Sequence, residues 1–234
     1  MNYAILTGDD AGWGQAKVLG AMLERLGFTS CADAAVTPAS ARLLLVQWTS
    51  CGREMTAMPH HSALPADSLR FAVVPSDVSD SARAVLTEHF DDVLTAPVDE
   101  IALCNALAAQ HYDALAPSER QSFCAKVLEL ACDDAGTARH LLQLILDTNR
   151  PTFTLLLDSF DAESWDMVGS AAHRIAGSAR LLDCKALIAL LIRLETATRE
   201  REVALAKALL PLVVNALESL DVSVQEALGS VEQH

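Results

Sequence analysis

Short apolar runs alternate with amphipathic stretches over the first 110 positions of the chain. Tyr3–Thr7, Leu43–Trp48, Phe71–Val74 and Val93–Thr95 are runs of the kind that fill a parallel sheet. Between them, Gly14–Leu26 reads as an amphipathic helix closed by Gly27 at the C′ position. Ser79–His89 and Val98–Gln110 read as two more helices. Strands alternating with helices predict βαβ units and a doubly wound α/β domain. The stretch Thr49–Leu69 mixes Gly, Met and His with Pro59 and Pro65 and shows neither period.

After Pro117 the pattern becomes continuously helical. Ser118–Arg120 opens a short leading helix, Asp133 or Asp134 caps a second running to about Ser159, and Asp161 precedes a third over Glu163–Leu182. Asp183 or Cys184 starts a fourth, and Arg201–Leu228 forms a fifth, with a kink or restart expected at Pro211 and an interruption or a bend at Pro151. Four long helices with short connections predict an antiparallel four-helix bundle. No apolar run reaches the ~18–20 residues of a membrane span. The N-terminus lacks the basic start of a signal peptide, so a cytoplasmic protein without membrane insertion is expected.

A length of 234 residues suits two domains, 1–112 and 118–234. Composition matters at two points. The net charge of −14 argues against a nucleic-acid partner. Cys31, Cys51, Cys104, Cys124, Cys132 and Cys184 are scattered, with no C-x-x-C pair and no His at ligand spacing, so reduced, buried thiols and no metal site are expected. His60–His61 has no carboxylate at ligand spacing and reads as a surface loop.

The candidate chemistry sits on the third helix. At 100° per residue, Val168, Ala172, Ile175, Ala179 and Leu182 form its buried stripe, and His173 lies about 200° from Ile175, facing outward. Its neighbours one turn away, Gly169, Ser170, Ala176 and Gly177, are all small. A helical Gly costs about 1 kcal/mol against Ala, so Gly177 points to something that approaches the backbone closely. Asp166 and Arg180 lie within about 20° of His173 on the wheel, and Arg174 is adjacent. Cations there suit phosphate oxygens, and Asp166 is placed to orient the ring through its second nitrogen.

The run Ala172-His173-Arg174-Ile175-Ala176-Gly177-Ser178-Ala179-Arg180-Leu181-Leu182 resembles the signature of bacterial histidine phosphotransfer (Hpt) domains. The resemblance covers about 118–230 and includes Trp165, Leu146–Arg150 (LDTNR) and Leu187–Glu195. It looks most like the Hpt module that ends the unorthodox hybrid sensor kinases of proteobacteria. The likeness implies that His173 accepts phosphoryl, that Gly177 gives access, and that Arg174 and Arg180 contact phosphate or partner. Two positions depart from the family: Ala176 where it usually has Lys, and Asp183 where it often has Gly.

The first 110 residues resemble a response-regulator receiver domain in the order of their parts. Asp9–Asp10 stand in the place of the receiver's metal-binding acidic pair, Leu23–Gly27 matches the end of its first helix, and Phe90–Pro97 matches the approach to its last. The functional positions differ: Gln47 replaces the phospho-accepting Asp, Pro75 or Ser76 falls where Thr or Ser is expected, and Ala96 replaces the Lys. An amide cannot form an acyl phosphate, so this implies a degenerate pseudo-receiver.

Together these resemblances imply a phosphorelay carrier. It would exchange phosphoryl with receiver domains and a hybrid histidine kinase, with Mg²⁺ supplied by the partner receiver and no cofactor of its own. The alternative class is a non-catalytic adaptor or inhibitor that binds relay partners without transfer. A homodimer through the Val98–Gln110 helix is a further arrangement that such a domain allows.

Overall fold

The computed structural model describes residues 2–7, 14–32, 41–48 and 64–231, and the chain divides into two compact units, 1–110 and 111–234. The first unit holds five strands: β1 (Asn2–Thr7), β2 (Phe28–Ala32), β3 (Ala41–Gln47), β4 (Leu69–Val74) and β5 (Asp92–Thr95). All pair in parallel, in the order β2-β1-β3-β4-β5. That is the doubly wound order of flavodoxin-like sheets. The central strands are buried almost throughout, Leu43–Val46 at 1% exposure or less, which accounts for their uninterrupted apolar sequence. Strand β2, FTSCA, has no such run, because an edge strand is covered on one side only and keeps Thr29 exposed.

Three helices of this unit are described: α1 (Ala16–Arg25), α2 (Asp80–Thr87) and α3 (Glu100–Ala109). Helix α1 buries Leu19 and Leu23 and ends before Gly27, whose φ of 86° is one that side chains rarely adopt. Ser79 and Asp99 cap α2 and α3 by accepting from the N–H groups of Ala82 and Ala102.

The second unit is helical. Its ring of four is α6 (Ala135–Asp161), α7 (Trp165–Leu181), α8 (Lys185–Arg199) and α9 (Val203–Val231), each packed against the next and α9 against α6. Where one short leading helix was expected there are two, α4 (Pro117–Gln121) and α5 (Phe123–Leu130). Helix α5 covers an end of the bundle: Lys126 Nζ donates to Leu182 O at 2.9 Å, meeting a carbonyl that the end of α7 leaves open. Cys184 is buried there beside Glu119, and its thiol is pushed up to about 12. The expectation of buried thiols holds at Cys104 and Cys184 and is corrected at Cys31 and Cys124, which are half-buried, and at Cys132, which is exposed; Cys51 lies outside the described residues.

Neither proline breaks its helix. Pro151 lies within α6 and Pro211 within α9, and both face solvent. On that side water can satisfy the carbonyl left without its N–H partner, so the helix continues through both positions. Helix α9 also corrects the expectation about apolar length. It is the one described helix long and apolar enough to cross a membrane by length and composition, with a mean hydropathy of 1.6 over its best window. Half of that window is buried inside the unit, as in a core helix.

The turns between long helices share one geometry. Glu163, Asp183 and Arg201 have φ of 51°, 54° and 60°, and the following N–H groups reach back five residues, Ser164 to Ser159 O, Cys184 to Ala179 O and Glu202 to Ala197 O. These are Schellman closures with a non-glycine residue at the left-handed position. Asp183 is therefore a loop-geometry departure from the family pattern. Its carboxylate lies 3.8 Å from Lys126 and 3.9 Å from Lys185, both partly exposed pairs worth little. Asp183→Gly is expected to raise unfolding stability by about 0.5–1 kcal/mol, read as a higher urea midpoint at unchanged slope. A lower midpoint would show that the two lysine contacts outweigh the backbone strain.

Candidate functional site

Helix α7 turns Val168, Ala171, Ala172, Ile175 and Ala179 into the bundle, each at 1% exposure or less, and this fixes the opposite face outward. On it the His173 side chain is 64% exposed. Its Nδ1 lies 3.1 Å from Glu195 Oε2 on α8. The site therefore spans two helices.

Asp166, expected to orient the ring, is engaged elsewhere: Arg201 donates to both of its oxygens at 3.0 and 3.2 Å. The two side chains share a meridian of α7, but seven residues separate them by about 10 Å along the axis, beyond a carboxylate's reach. Glu195 had no local signal, since its approach depends on how α8 packs against α7. It lies at the end of the Leu187–Glu195 stretch, which the family resemblance had marked without assigning it a role.

The small residues around His173 divide into two kinds. A Cβ on Gly169 would lie 2.8 Å from Thr198 Oγ1, so this glycine seats α8 against α7. Ala176 is 1% exposed and belongs to the packed face, so neither residue clears a landing surface as first expected. A lysine at 176 would have to run its chain along the helix to reach solvent. Gly177 differs: a Cβ there would meet nothing within 4 Å. No contact with another described residue demands a glycine. Ser170, Arg174 and Arg180 are exposed on the same side of α7.

The remaining signature residues hold helices together. Ser178 donates to Asn149 Oδ1, joining α7 to α6. Arg150 grips Asp221 of α9 with two bonds of 2.7 and 3.0 Å. Trp165 meets Phe160 edge to face at the α6–α7 turn, centroids 5.4 Å apart.

In the first unit, Gln47 closes β3, and Ala96 follows the end of β5. In a parallel sheet these positions share the C-terminal edge, where ligands of such folds bind. Asp9 and Asp10 lie outside the described residues, as do His60 and His61. Near the same edge, the Gln15 side chain both donates to Val98 O and accepts from Val98 N, each at 3.2 Å, tying the start of α1 to the β5–α3 connection. Among the described residues no three His, Cys, Asp or Glu side chains cluster as a metal site would require.

Residues 140–223 match the model of the Hpt domain. Over 69 residues the chain is 36% identical to the virulence sensor protein BvgS of Bordetella pertussis, and equally to those of Bordetella parapertussis and Bordetella bronchiseptica. The match takes in 30% of this chain and 6% of each relative, so the chain spans a small part of the length of those proteins.

Replacing Glu195 by Ala is expected to free the His173 ring from the single tautomer and orientation that the contact to Nδ1 selects. Glu195→Gln, which can still accept from Nδ1–H, should keep most of that preference. Nitrogen NMR of the ring gives the check: one tautomer in the parent and two in Glu195→Ala. An unchanged tautomer ratio would rule out a positioning role. The helical unit with its exposed, carboxylate-tethered histidine thus contains an Hpt domain, a module of phosphorelay signalling, following a unit whose parallel five-stranded sheet is consistent with a receiver-like domain.

Proposed function

We propose that His173 is the phospho-accepting residue of a phosphorelay, taking a phosphoryl group from the aspartate of one receiver domain and passing it to another. The observation that carries this is the imidazole itself: 64% exposed, tethered by Glu195 at one nitrogen, with open space over Gly177 one turn away. Glu195 accepts from Nδ1–H and leaves the lone pair on Nε2 facing solvent. Nε2 attacks the phosphorus of the acyl phosphate, an N–P bond forms, the acyl P–O bond breaks, and the partner's carboxylate leaves. The ring gains positive charge in this step, and the Glu195 carboxylate beside Nδ1 stabilises it.

Phosphoryl transfer asks mainly for position and charge neutralisation. Arg174 and Arg180 are suited to steady phosphate oxygens or the partner, and the partner receiver supplies the Mg²⁺. The chain then acts in the cytoplasm as a carrier, with no ATP-using step of its own. The first unit acts as a pseudo-receiver. With Gln47 in the place of the nucleophile, no phosphorylation step runs through it, and its contribution is a surface for relay partners.

The test is incubation of the full chain with a receiver phosphorylated by acetyl phosphate, followed by mapping of the label. A label stable to base, lost in acid and located at residue 173 supports the reading. A label elsewhere, or none from any receiver of a broad panel, overturns it.

A further inference from the structure

The side chains of Arg174, Arg180 and Arg199 are exposed, and none of the three guanidinium groups makes a hydrogen bond or ion pair with another described residue. The other described lysines and arginines of the helical unit do have partners. In a chain of net charge −14, uncompensated positive charge is unusual, and in this unit it gathers on the two helices that make the site. Arg199 is the member that the sequence pattern around His173 does not include, because it belongs to α8.

Two contacts fix its place. Glu195 reaches His173 at 3.1 Å, and Gly169 faces Thr198, so α7 and α8 run antiparallel with Arg199 one turn past Glu195. That puts Arg199 about 6 Å along the axis to one side of the imidazole, and Arg180 about 10 Å to the other. Arg174 lies about 100° around α7. Glu195 and Arg199 are spaced to pair with each other across one helical turn. Instead the carboxylate is on His173, and the guanidinium has no acidic partner among the described residues. A cation in the last turn is favoured by the helix dipole, which applies to Arg180 and Arg199. That role would register in stability and leave association rates untouched.

We infer that Arg199, with Arg174 and Arg180, frames His173 as a cationic docking surface for the acidic rim of a phospho-aspartyl partner, Arg199 holding the α8 side. The inference rests on His173 being the acceptor. The net charge of −14 repels an acidic partner surface at long range, and a local patch of opposite sign both orients the encounter and raises its rate.

The experiment uses the full chain and, as donor, the receiver domain that labels it fastest in a panel phosphorylated with acetyl phosphate. Arg199→Glu is expected to lower kcat/KM about tenfold at low ionic strength and to approach the parent within about twofold at 0.5 M salt, where the screening length falls to a few ångströms. Arg199→Lys should keep most of the rate, and Lys207→Glu, the same charge change on α9, should stay within about twofold of the parent at both salts. If Arg199→Glu behaves like Lys207→Glu at low salt, or its deficit survives undiminished at high salt, the inference fails. Phosphoramidate, which needs no docking, tests the underlying reading separately. If it places no label on His173 of the parent chain, the acceptor assignment falls and the docking surface falls with it.

Discussion

A chain with Gln in place of His173 is expected to accept at least about 10³-fold less phosphoryl label than the parent while unfolding within about 1 kcal/mol of it. The two halves of this expectation come from one geometry. The His173 side chain is 64% exposed and has one polar partner among the described residues, Glu195, itself 30% exposed. Contacts between such groups contribute about 0–1 kcal/mol, so the bundle loses little with the ring. The chemistry loses everything, because an amide nitrogen has no lone pair available for attack on phosphorus. Quantified transfer from a phosphorylated receiver, alongside a thermal melt, measures both. Comparable labelling of His173→Gln would move the acceptor to another residue. A large drop in melting temperature would mean that His173 stabilises the fold in a way its exposure does not suggest.

Gly177→Trp is expected to separate stability from transfer in opposite directions. A Cβ at Gly177 would meet nothing within 4 Å, and glycine is the poorest helix former after proline. Any ordinary side chain should therefore hold or raise stability, by about 0.5–1 kcal/mol for Gly177→Ala. A partner's backbone, however, must come within a few ångströms of Nε2, and an indole one turn from the imidazole occupies that space. Transfer should fall about 100-fold for Trp, as misplacement of a reacting pair by an ångström or more commonly does, and only slightly for Ala. The readouts are the urea midpoint and the single-turnover transfer rate. Full activity of Gly177→Trp would show that no partner approaches over this turn. A loss of stability would show that the glycine serves the bundle after all.

Gly169 and Gly177 show how far one helix can be interpreted alone. Both lie one turn from His173 and look equivalent in sequence, yet the first faces Thr198 and the second faces open space. Which is which depends on where α8 lies. The same holds for the carboxylates. Asp166 shares the meridian of His173 on the wheel, but the contact to the ring comes from Glu195, across a helix pair. The missing lysine, Ala176, faces the packed side, so the cations available near the imidazole must come from elsewhere on α7 and from α8.

Periodicity and capping determined much of the architecture by themselves. Apolar runs interleaved with amphipathic helices marked the α/β unit, and the 3.6-residue stripe of α7 put His173 outside, because burial of a contiguous apolar face leaves one orientation for a helix in a bundle. An edge strand with no apolar run, β2, stayed hidden, and two prolines looked like breaks because their solvent-facing position cannot be read from identity alone. Tertiary packing alone decided the partner of His173, the role of each small residue, and which arginines stay without acids. Those features come from pairs of residues far apart in the chain, and their distances are set by how neighbouring helices seat against each other.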